Sequence, residues 1–154
     1  PQDVKATRPS APATLASQAK IVSSTPSSSM RSIADGLVPA DENDRSIPYF
    51  HWWPKQNTTE WITYTFPEAK QIQSTTVYWF DDQPWGGCKI PDSWTIQYKD
   101  ANGNWQNVEN VDSYPIKKGT ACTANFKPVK TSEVKILVKQ PAKYSCGLFE
   151  WSVK

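Results

Sequence analysis

The chain has 154 residues, of which 38% are hydrophobic, 12% aromatic and 21% charged, and its formal net charge is +2. This length fits one domain, and the apolar content excludes an intrinsically disordered chain. Lysine and arginine are scattered among acidic residues and form no basic stripe, so nucleic acid is not expected as a partner. No run of about 18 apolar residues occurs, and no membrane insertion is expected.

The three cysteines Cys88, Cys122 and Cys146 match no metal-binding spacing. An odd number allows at most one internal disulfide. The alternative is three buried thiols that pack as small apolar side chains. The spacing alone does not decide between the two.

Residues 1–17 are rich in Pro, Ala, Thr and Ser, which is typical of an extended linker. A linker in this position is expected to follow an upstream domain, so the folded domain is predicted over residues 18–154. Residues 18–24 are predicted to form a first strand, since a run of Ser, Thr and Pro ends their apolar pattern.

Residues 30–50 have neither a strand nor a helix period. A loop this long inside one domain is typical of a functional segment or of a segment held by an ion. Its oxygen-bearing side chains are of the kind that Ca²⁺ prefers, and they include Asp35, Asp41, Asn43, Asp44 and Ser46. The alternative is an acidic loop that is merely solvated.

Two segments with strict alternation follow, at residues 61–66 and 72–80, and both are rich in aromatic and β-branched residues. This pattern predicts two strands, with a turn at 67–71 between them. Residues 81–92 form a loop in which Trp85 stands between Pro84 and a Gly pair. Trp85 is therefore predicted to lie outside any strand.

Further alternating segments predict strands at 93–99, 105–108, 120–126, 133–138 and 148–153, with an Asn-Gly hairpin turn at 100–104. About eight short strands with no convincing helix predict an all-β fold, an antiparallel β-sandwich. The tryptophans in strands, together with one of Trp52 and Trp53, are expected in the core; those in strands are Trp61, Trp79, Trp94 and Trp151.

The order of these features resembles the galactose-binding-like jelly roll of discoidin (F5/8 type C) domains and of many bacterial carbohydrate-binding modules. The shared features are Asp35-Gly36 after the first strand, the strand EWITYTF at 60–66 and Glu150 in the last strand. More narrowly, the chain is similar to the accessory domain of glycoside hydrolases related to the family 127 β-L-arabinofuranosidases. The segments behind that narrower resemblance are SIP at 46–48, HWWP at 51–54, TEW at 59–61, VYWFDD at 77–82, GCKIP at 87–91 and LFEW at 148–151.

The resemblance implies a structural Ca²⁺ between the loop after the first strand and the last strand. Asp35 and Glu150 would supply carboxylates to it. A backbone oxygen near Ile33 and side chains from the 30–50 loop would complete the coordination shell, with Asn43, Asp44 and Ser46 as the candidates.

Binding fits the residues better than catalysis does. Glycoside hydrolysis needs two carboxyl groups that face each other across the sugar, whereas Asp81 and Asp82, being adjacent, would point to opposite faces of a continuing strand. His51 has no Ser or Cys nucleophile arranged around it. No enzymatic activity is therefore expected of this chain.

Sugars stack their C–H faces on aromatic rings and offer hydroxyls to polar groups, and the 81–92 loop carries both kinds of partner. Trp85 is predicted as the platform. The polar partners are predicted to be Asp81, Asp82, Gln83 and Lys89, with Tyr144 and His51 as further candidates.

The expected function is that of a non-catalytic carbohydrate-binding accessory module of a bacterial glycoside hydrolase. It would present this aromatic and acidic loop to a plant glycan that contains arabinose or galactose. The alternative is a structural wedge that packs on its own catalytic domain and binds no glycan. A monomeric, extracytoplasmic domain is expected in either case.

Overall fold

A computed structural model describes residues 14–27 and 29–154. It contains one short α-helix, one 3-10 helix and, within these residues, seven strands. The elements are α1 (Leu15–Gln18), β1 (Lys20–Ser23), the 3-10 helix (Met30–Ala34), β2 (Phe50–His51), β3 (Thr59–Phe80), β4 (Ser93–Lys99), β5 (Trp105–Asn107), β6 (Cys122–Lys139) and β7 (Gly147–Val153).

All strand pairs are antiparallel, and the long strands β3 and β6 run through both layers of a sandwich. The first layer has the order β1-β3-β6-β4-β5 and uses the first half of β3, where Lys20 pairs with Thr65. The second layer has the order β2-β7-β3-β6 and uses the second half of β3, where Val77 pairs with Trp151. The predicted all-β antiparallel sandwich is confirmed.

The two layers meet through aromatic side chains. Tyr64 of the first layer stacks on Trp151 of the second with 4.0 Å between ring centroids, and its hydroxyl donates to Trp151 O at 2.7 Å. Trp79 and Trp94 meet edge to face at 5.7 Å. Since all four side chains are at most 2% exposed, they form the centre of the core, and a good part of the stability comes from their removal from water.

The predicted turn at 67–71 is wrong, because the chain continues as one strand, β3. Its pairing with β6 shifts register between Thr65 and Lys70 and again between Ile72 and Ser74. Such irregularities let one strand bend from one layer to the other. Pro67 fits there because it is exposed at the point where the ladder is interrupted.

The expectation that Trp61 is a core residue is also wrong. Ile62 and Tyr64 point into the sandwich and are fully buried, so Trp61 on the opposite face lies half-buried on the outer surface of the first layer. Of the adjacent pair Trp52 and Trp53, Trp52 is the core residue at 1% exposed, whereas Trp53 is 56% exposed.

The folded part begins earlier than the sequence predicted. Thr14 caps α1, and Ala16 of that helix is buried, so Leu15 to Ser17 belong to the domain and not to a linker. The rest of the predicted linker, residues 1–13, lies outside the described residues. Among the described residues no helix is long and apolar enough to cross a membrane.

The three cysteines are buried, unpaired thiols, as in the second of the two sequence-based alternatives.

Candidate functional site

A tight turn follows β3 and carries Trp85 at its tip. The backbone N–H groups of Trp85 and Gly86 both donate to Asp82 O, at 2.9 and 3.0 Å, and the Gln83–Pro84 peptide bond is cis. These bonds fix the turn from within, and the indole of Trp85 is 92% exposed. An indole this exposed on an ordered turn is an open stacking surface.

Asp81 supports this turn from below. Its side chain is buried, Oδ1 accepts the N–H of Gln83 and Oδ2 accepts the N–H of Ile90, both at 3.0 Å. Both carboxylate oxygens are thus used by the backbone on the two sides of the loop. Asp81 therefore shapes the loop and has no oxygen directed at solvent.

Asp82 and Gln83 hold the two ends of the loop together. Asp82 Oδ1 accepts the N–H of Cys88 at 2.8 Å, and Gln83 Nε2 donates to Gly86 O at 2.8 Å and to Cys88 O at 3.0 Å. The amide nitrogen of Gln83 faces the loop. The half-buried carboxylate of Asp82 keeps its second oxygen beside Gly86.

A pocket of about 160 Å³ lies between this loop and the segment that contains β2. Its lining combines aromatic rings, one imidazole and one carboxylate, contributed by Tyr49, His51, Trp53, Phe80, Asp82, Gly87 and Cys88. Tyr49 stacks on Phe80 with 4.0 Å between ring centroids. The pocket therefore offers apolar walls together with polar groups, which is the kind of lining that ligand sites have.

Strand β2 places His51 at this pocket. His51 pairs with Gly147 of β7, and a Cβ atom on Gly147 would come within 2.6 Å of Phe50 O. Only glycine allows the two backbones to approach this closely. The imidazole of His51 is exposed and lies 6.0 Å from the ring of Tyr49.

The segment after Trp53 is anchored to the core by its backbone. The Trp53–Pro54 peptide bond is cis, and Lys55 O accepts from Gln140 Nε2 at 3.0 Å and from Ser145 Oγ. These bonds hold Trp53 over Gly87 while more than half of its indole surface stays in solvent.

Lys89 and Tyr144 form a separate pair beside the loop. The ammonium of Lys89 lies 5.1 Å from the centroid of the Tyr144 ring, and Lys89 N donates to Ser145 O at 2.8 Å. Neither residue lines the pocket.

Cys88 is the one thiol in the pocket wall. Burial raises its pKa to about 12, helped by the negative charges of Asp82 and Asp81. The thiol is therefore neutral near pH 7, and it lacks the thiolate that a nucleophile needs.

Of the seven predicted ligand residues, the structure places His51 and Asp82 in the pocket and Trp85 on the adjoining turn. Asp81 and Gln83 serve the loop itself. The sequence missed Tyr49 and Trp53, which supply aromatic walls. A weak signal was present for Trp53, since neighbouring residues in an extended segment point to opposite sides and only one Trp of the pair could be buried.

The predicted metal residues divide into two groups, of which the first holds Asp35 and Glu150. Glu150 is 5% exposed, its Oε2 accepts the N–H of Gly36 at 2.9 Å, and its Oε1 is buried without a hydrogen-bond partner. Burial, with the Asp35 carboxyl beside it, raises the pKa of Glu150 to about 9. An unpartnered carboxylate oxygen next to a second carboxyl is a donor set that suits Ca²⁺.

The second group lies in the loop at residues 40–46, and its side chains form hydrogen bonds within that loop. Asp44 Oδ1 accepts from both the N–H and the hydroxyl of Ser46, at 2.9 and 2.6 Å, and Oδ2 accepts the N–H of Ala40 at 2.9 Å. Asn43 N likewise donates to Asp41 Oδ1. Among the described residues no three His, Cys, Asp or Glu side chains gather as a metal cluster. A role for Asn43, Asp44 and Ser46 as ligands stays a prediction.

Comparison with known proteins gives a family match over most of the domain. The profile of an F5/8 type C family, described as "NedA-like, galactose-binding domain", matches residues 40–136.

Solved structures match over nearly the whole chain at low sequence identity. A structure from the Streptococcus pneumoniae β-galactosidase BgaA superposes with a TM-score of 0.73 and 16% identity, covering 86% of this chain and 89% of that one. The family 32 carbohydrate-binding module of Clostridium perfringens NanJ, in complex with galactose, gives 0.64 and 16%, covering 90% and 95%. The C. perfringens module CpGH89CBM32-5, in complex with GalNAc-β-1,3-galactose, gives 0.63 and 14%, covering 90% and 96%.

Proposed function

The chain belongs to the NedA-like, galactose-binding domain family, and from this premise we propose that it is a non-catalytic carbohydrate-binding module. Two of its structural neighbours, from NanJ and CpGH89CBM32-5, are sugar-binding modules in complex with galactose and a galactose-containing disaccharide. The observation that carries the proposal is the 92% exposure of Trp85 on an internally hydrogen-bonded turn beside a small polar and aromatic pocket.

The proposed mode of binding joins a stacking surface to a pocket. Trp85 and Trp53 offer exposed indole surface for the C–H face of a sugar ring. Asp82 and His51 in the pocket offer an acceptor and an imidazole to its hydroxyls. Because the turn is fixed by Asp81 and Gln83, little ordering is needed on binding, which favours affinity.

The proposed setting is more specific than the fold. Following the resemblance to accessory domains of the family 127 type, we place the module in a bacterial glycoside hydrolase outside the cytoplasm. The proposed ligand is a plant polysaccharide with galactose or arabinose units, bound by a monomeric domain.

We also propose a structural Ca²⁺ held by Asp35 and Glu150. The support is the buried, unpartnered Oε1 of Glu150 and the neighbouring Asp35 carboxyl. Such an ion would neutralise two carboxylates and join the 3-10 helix to β7.

Affinity electrophoresis and calorimetry of the chain with β-1,4-galactan, arabinogalactan and arabinan test the binding proposal. Wild type is expected to be retained by at least one polymer. The Trp85→Ala variant should bind roughly tenfold more weakly, since it loses a stacking ring. Its melting temperature should not change, because the removed side chain is almost fully in solvent.

The matched control is Val38→Ala, which shortens another exposed apolar side chain, 50% exposed, in the loop after the 3-10 helix. It should leave retention and melting temperature unchanged. If wild type is retained by none of the neutral polymers, the binding proposal fails. The exposed Trp85 would then favour the wedge function, in which this loop packs on a neighbouring domain.

A further inference from the structure

A second concave surface lies on the outer face of the first layer, away from the Trp85 loop. Successive outward residues of β3, the edge strand β1 and the facing parts of β5 and β6 enclose a shallow cavity of about 500 Å³. The residues that define it chemically are Lys20, Trp61, Thr63, Trp105, Glu133 and Lys135. Its volume falls within the roughly 300–1,000 Å³ of known ligand sites.

Two half-buried indoles form this surface, and Lys135 lies between them. The ammonium of Lys135 is 4.2 Å from the centroid of the Trp105 ring and 5.4 Å from that of Trp61. Thr63, which pairs with Lys135 across the strands, lines the same face, and its buried hydroxyl donates to Val22 O at 3.4 Å. Aromatic walls with an ammonium donor between them are suited to a sugar chain.

The charge of the surface is positive. Lys99 is paired with Glu133 at 3.3 Å, so the one acidic residue of the cavity already has a basic partner. Among the described residues, no carboxylate lies within 4 Å of the ammonium groups of Lys20 and Lys135. Two lysines are therefore left to attract an anion.

The surroundings of Lys135 disfavour the charged form of its ammonium group. Burial lowers its pKa most, the positive charge of Lys99 lowers it further, and the negative charge of Glu133 offsets part of this. A carboxylate bound in the cavity would add a further negative charge beside this partly buried ammonium and so favour its charged form.

We propose that this surface, defined by Trp61, Trp105, Lys135 and Lys20, is a second carbohydrate site that binds acidic polysaccharide, with uronic acid residues as the recognised units. The exposed parts of the indoles contact the sugar rings, and the lysines pair with the carboxylates. None of the residues that line the pocket beside the Trp85 turn belongs to this second site. The second site therefore stands whether or not the Trp85 loop binds a neutral glycan.

Binding of polygalacturonate and of the same polymer with its carboxylates fully methyl-esterified tests this site by calorimetry. Wild type should bind polygalacturonate about tenfold more tightly than the ester. Raising NaCl from about 0.05 M to about 0.5 M should weaken the binding, since the charges are partly exposed.

The variants Lys135→Met and Trp105→Ala should each weaken polygalacturonate binding about fivefold or more. Lys135→Met keeps the apolar stem against the indoles. It therefore tests the loss of the positive charge without disturbing the packing of the fold. The control Lys127→Met removes one positive charge from an exposed ion pair with Glu109 and should bind as wild type does.

Three results would overturn the proposal. They are equal binding of the acid and the ester, an unchanged affinity in Lys135→Met, and binding of poly-L-glutamate as tight as that of polygalacturonate. The last result would show that the surface selects charge and not sugar, as a docking face for an acidic protein would. Binding of neutral galactan tests only the Trp85 loop, and the comparison of polygalacturonate with its ester tests only the second site. A failure of one site can therefore be distinguished from a failure of the other.

Discussion

The indole of Trp53 lies directly on Gly87: a Cβ atom on Gly87 would be 2.5 Å from Trp53 Nε1. The ring can occupy this place only because residue 87 has no side chain. Gly87 and Trp53 come from different segments, and their contact forms one wall of the pocket. The width of the pocket therefore depends on this glycine.

Replacing Gly87 by Ala should displace Trp53 and weaken glycan binding by roughly fivefold, about 1 kcal/mol of stacking energy. Because Trp53 is 56% exposed, the ring can move outward, and the melting temperature should fall little. Calorimetry with whichever neutral polymer the wild type retains measures the effect. Trp53→Ala should reproduce it, and normal binding by Gly87→Ala would show that this wall is not used.

The carboxylate of Asp81 should be needed for both stability and binding. In Asp81→Asn, an amide N–H would face the N–H of either Gln83 or Ile90, which leaves a buried donor unpaired. This should cost about 1–3 kcal/mol, and for a domain of this size each kcal/mol lowers the melting temperature by about 2–4 °C.

The exposed Asp92→Asn is the matched control for this variant, because it makes the same chemical change without a buried partner. It should unfold as wild type does in urea. An Asp81→Asn variant with wild-type stability would mean that the loop does not depend on the carboxylate.

The strand pattern shows what alternation can and cannot predict. It correctly placed Ile62, Tyr64 and Phe66 on one face of β3. Alternation alone did not show which face of β3 points into the core. The other face carries Trp61 and Thr63, and it looked equally suited to burial. The pattern also predicted a turn at 67–71, because the β6 partner that keeps the chain extended there is about 60 residues away in sequence.

The loop residues show the same limit. Trp85 could be predicted to lie outside a strand, because Pro84 and the Gly pair are incompatible with a paired segment. Trp53 could not be placed, since only the packed core decides which of two adjacent Trp residues is buried. Asp81 and Gln83 look like ligands in sequence, and only the hydrogen bonds show that the backbone of the loop uses them.

Glu60 should make stability depend on pH in the acidic range. Burial alone would raise its pKa, but hydrogen bonds from Ser24 and Thr58 at 2.6 and 2.7 Å, and Lys55 at 3.8 Å, outweigh burial and lower the pKa. A carboxyl whose pKa is lower in the folded state stabilises the fold above its unfolded value of 4.5, and this stability is lost as the pH falls through the folded pKa.

The Glu60→Gln variant should therefore be less stable than wild type near pH 7, by about 1–3 kcal/mol, and the difference should shrink toward pH 3. Urea unfolding at several pH values measures it. Glu109→Gln, which removes a carboxylate from an exposed ion pair, should track wild type throughout. A difference that stays constant with pH would contradict a charged Glu60 in the folded state.

Glu150 is expected to respond in the opposite direction. Its folded pKa of about 9 lies above the unfolded value of 4.5, so without an ion the folded state holds a proton there. The stability from this proton is present below about pH 4.5 and is lost as the pH rises through about 9. A Ca²⁺ ion would have to displace the proton, which makes its affinity increase with pH.

Calcium should therefore raise the melting temperature, by more at about pH 9 than at about pH 6, and EDTA should reverse the shift. The Glu150→Gln variant should lose the response at both pH values, because a neutral amide replaces the carboxylate beside Asp35. The exposed Glu68→Gln variant, whose carboxylate pairs only with Lys70, is the matched control and should respond as wild type does. A melting temperature that changes with neither Ca²⁺ nor EDTA at the two pH values would exclude a structural ion at Asp35 and Glu150. The buried Glu150 would then be a neutral acid because of its burial and the neighbouring Asp35 carboxyl, which outweigh the N–H of Gly36.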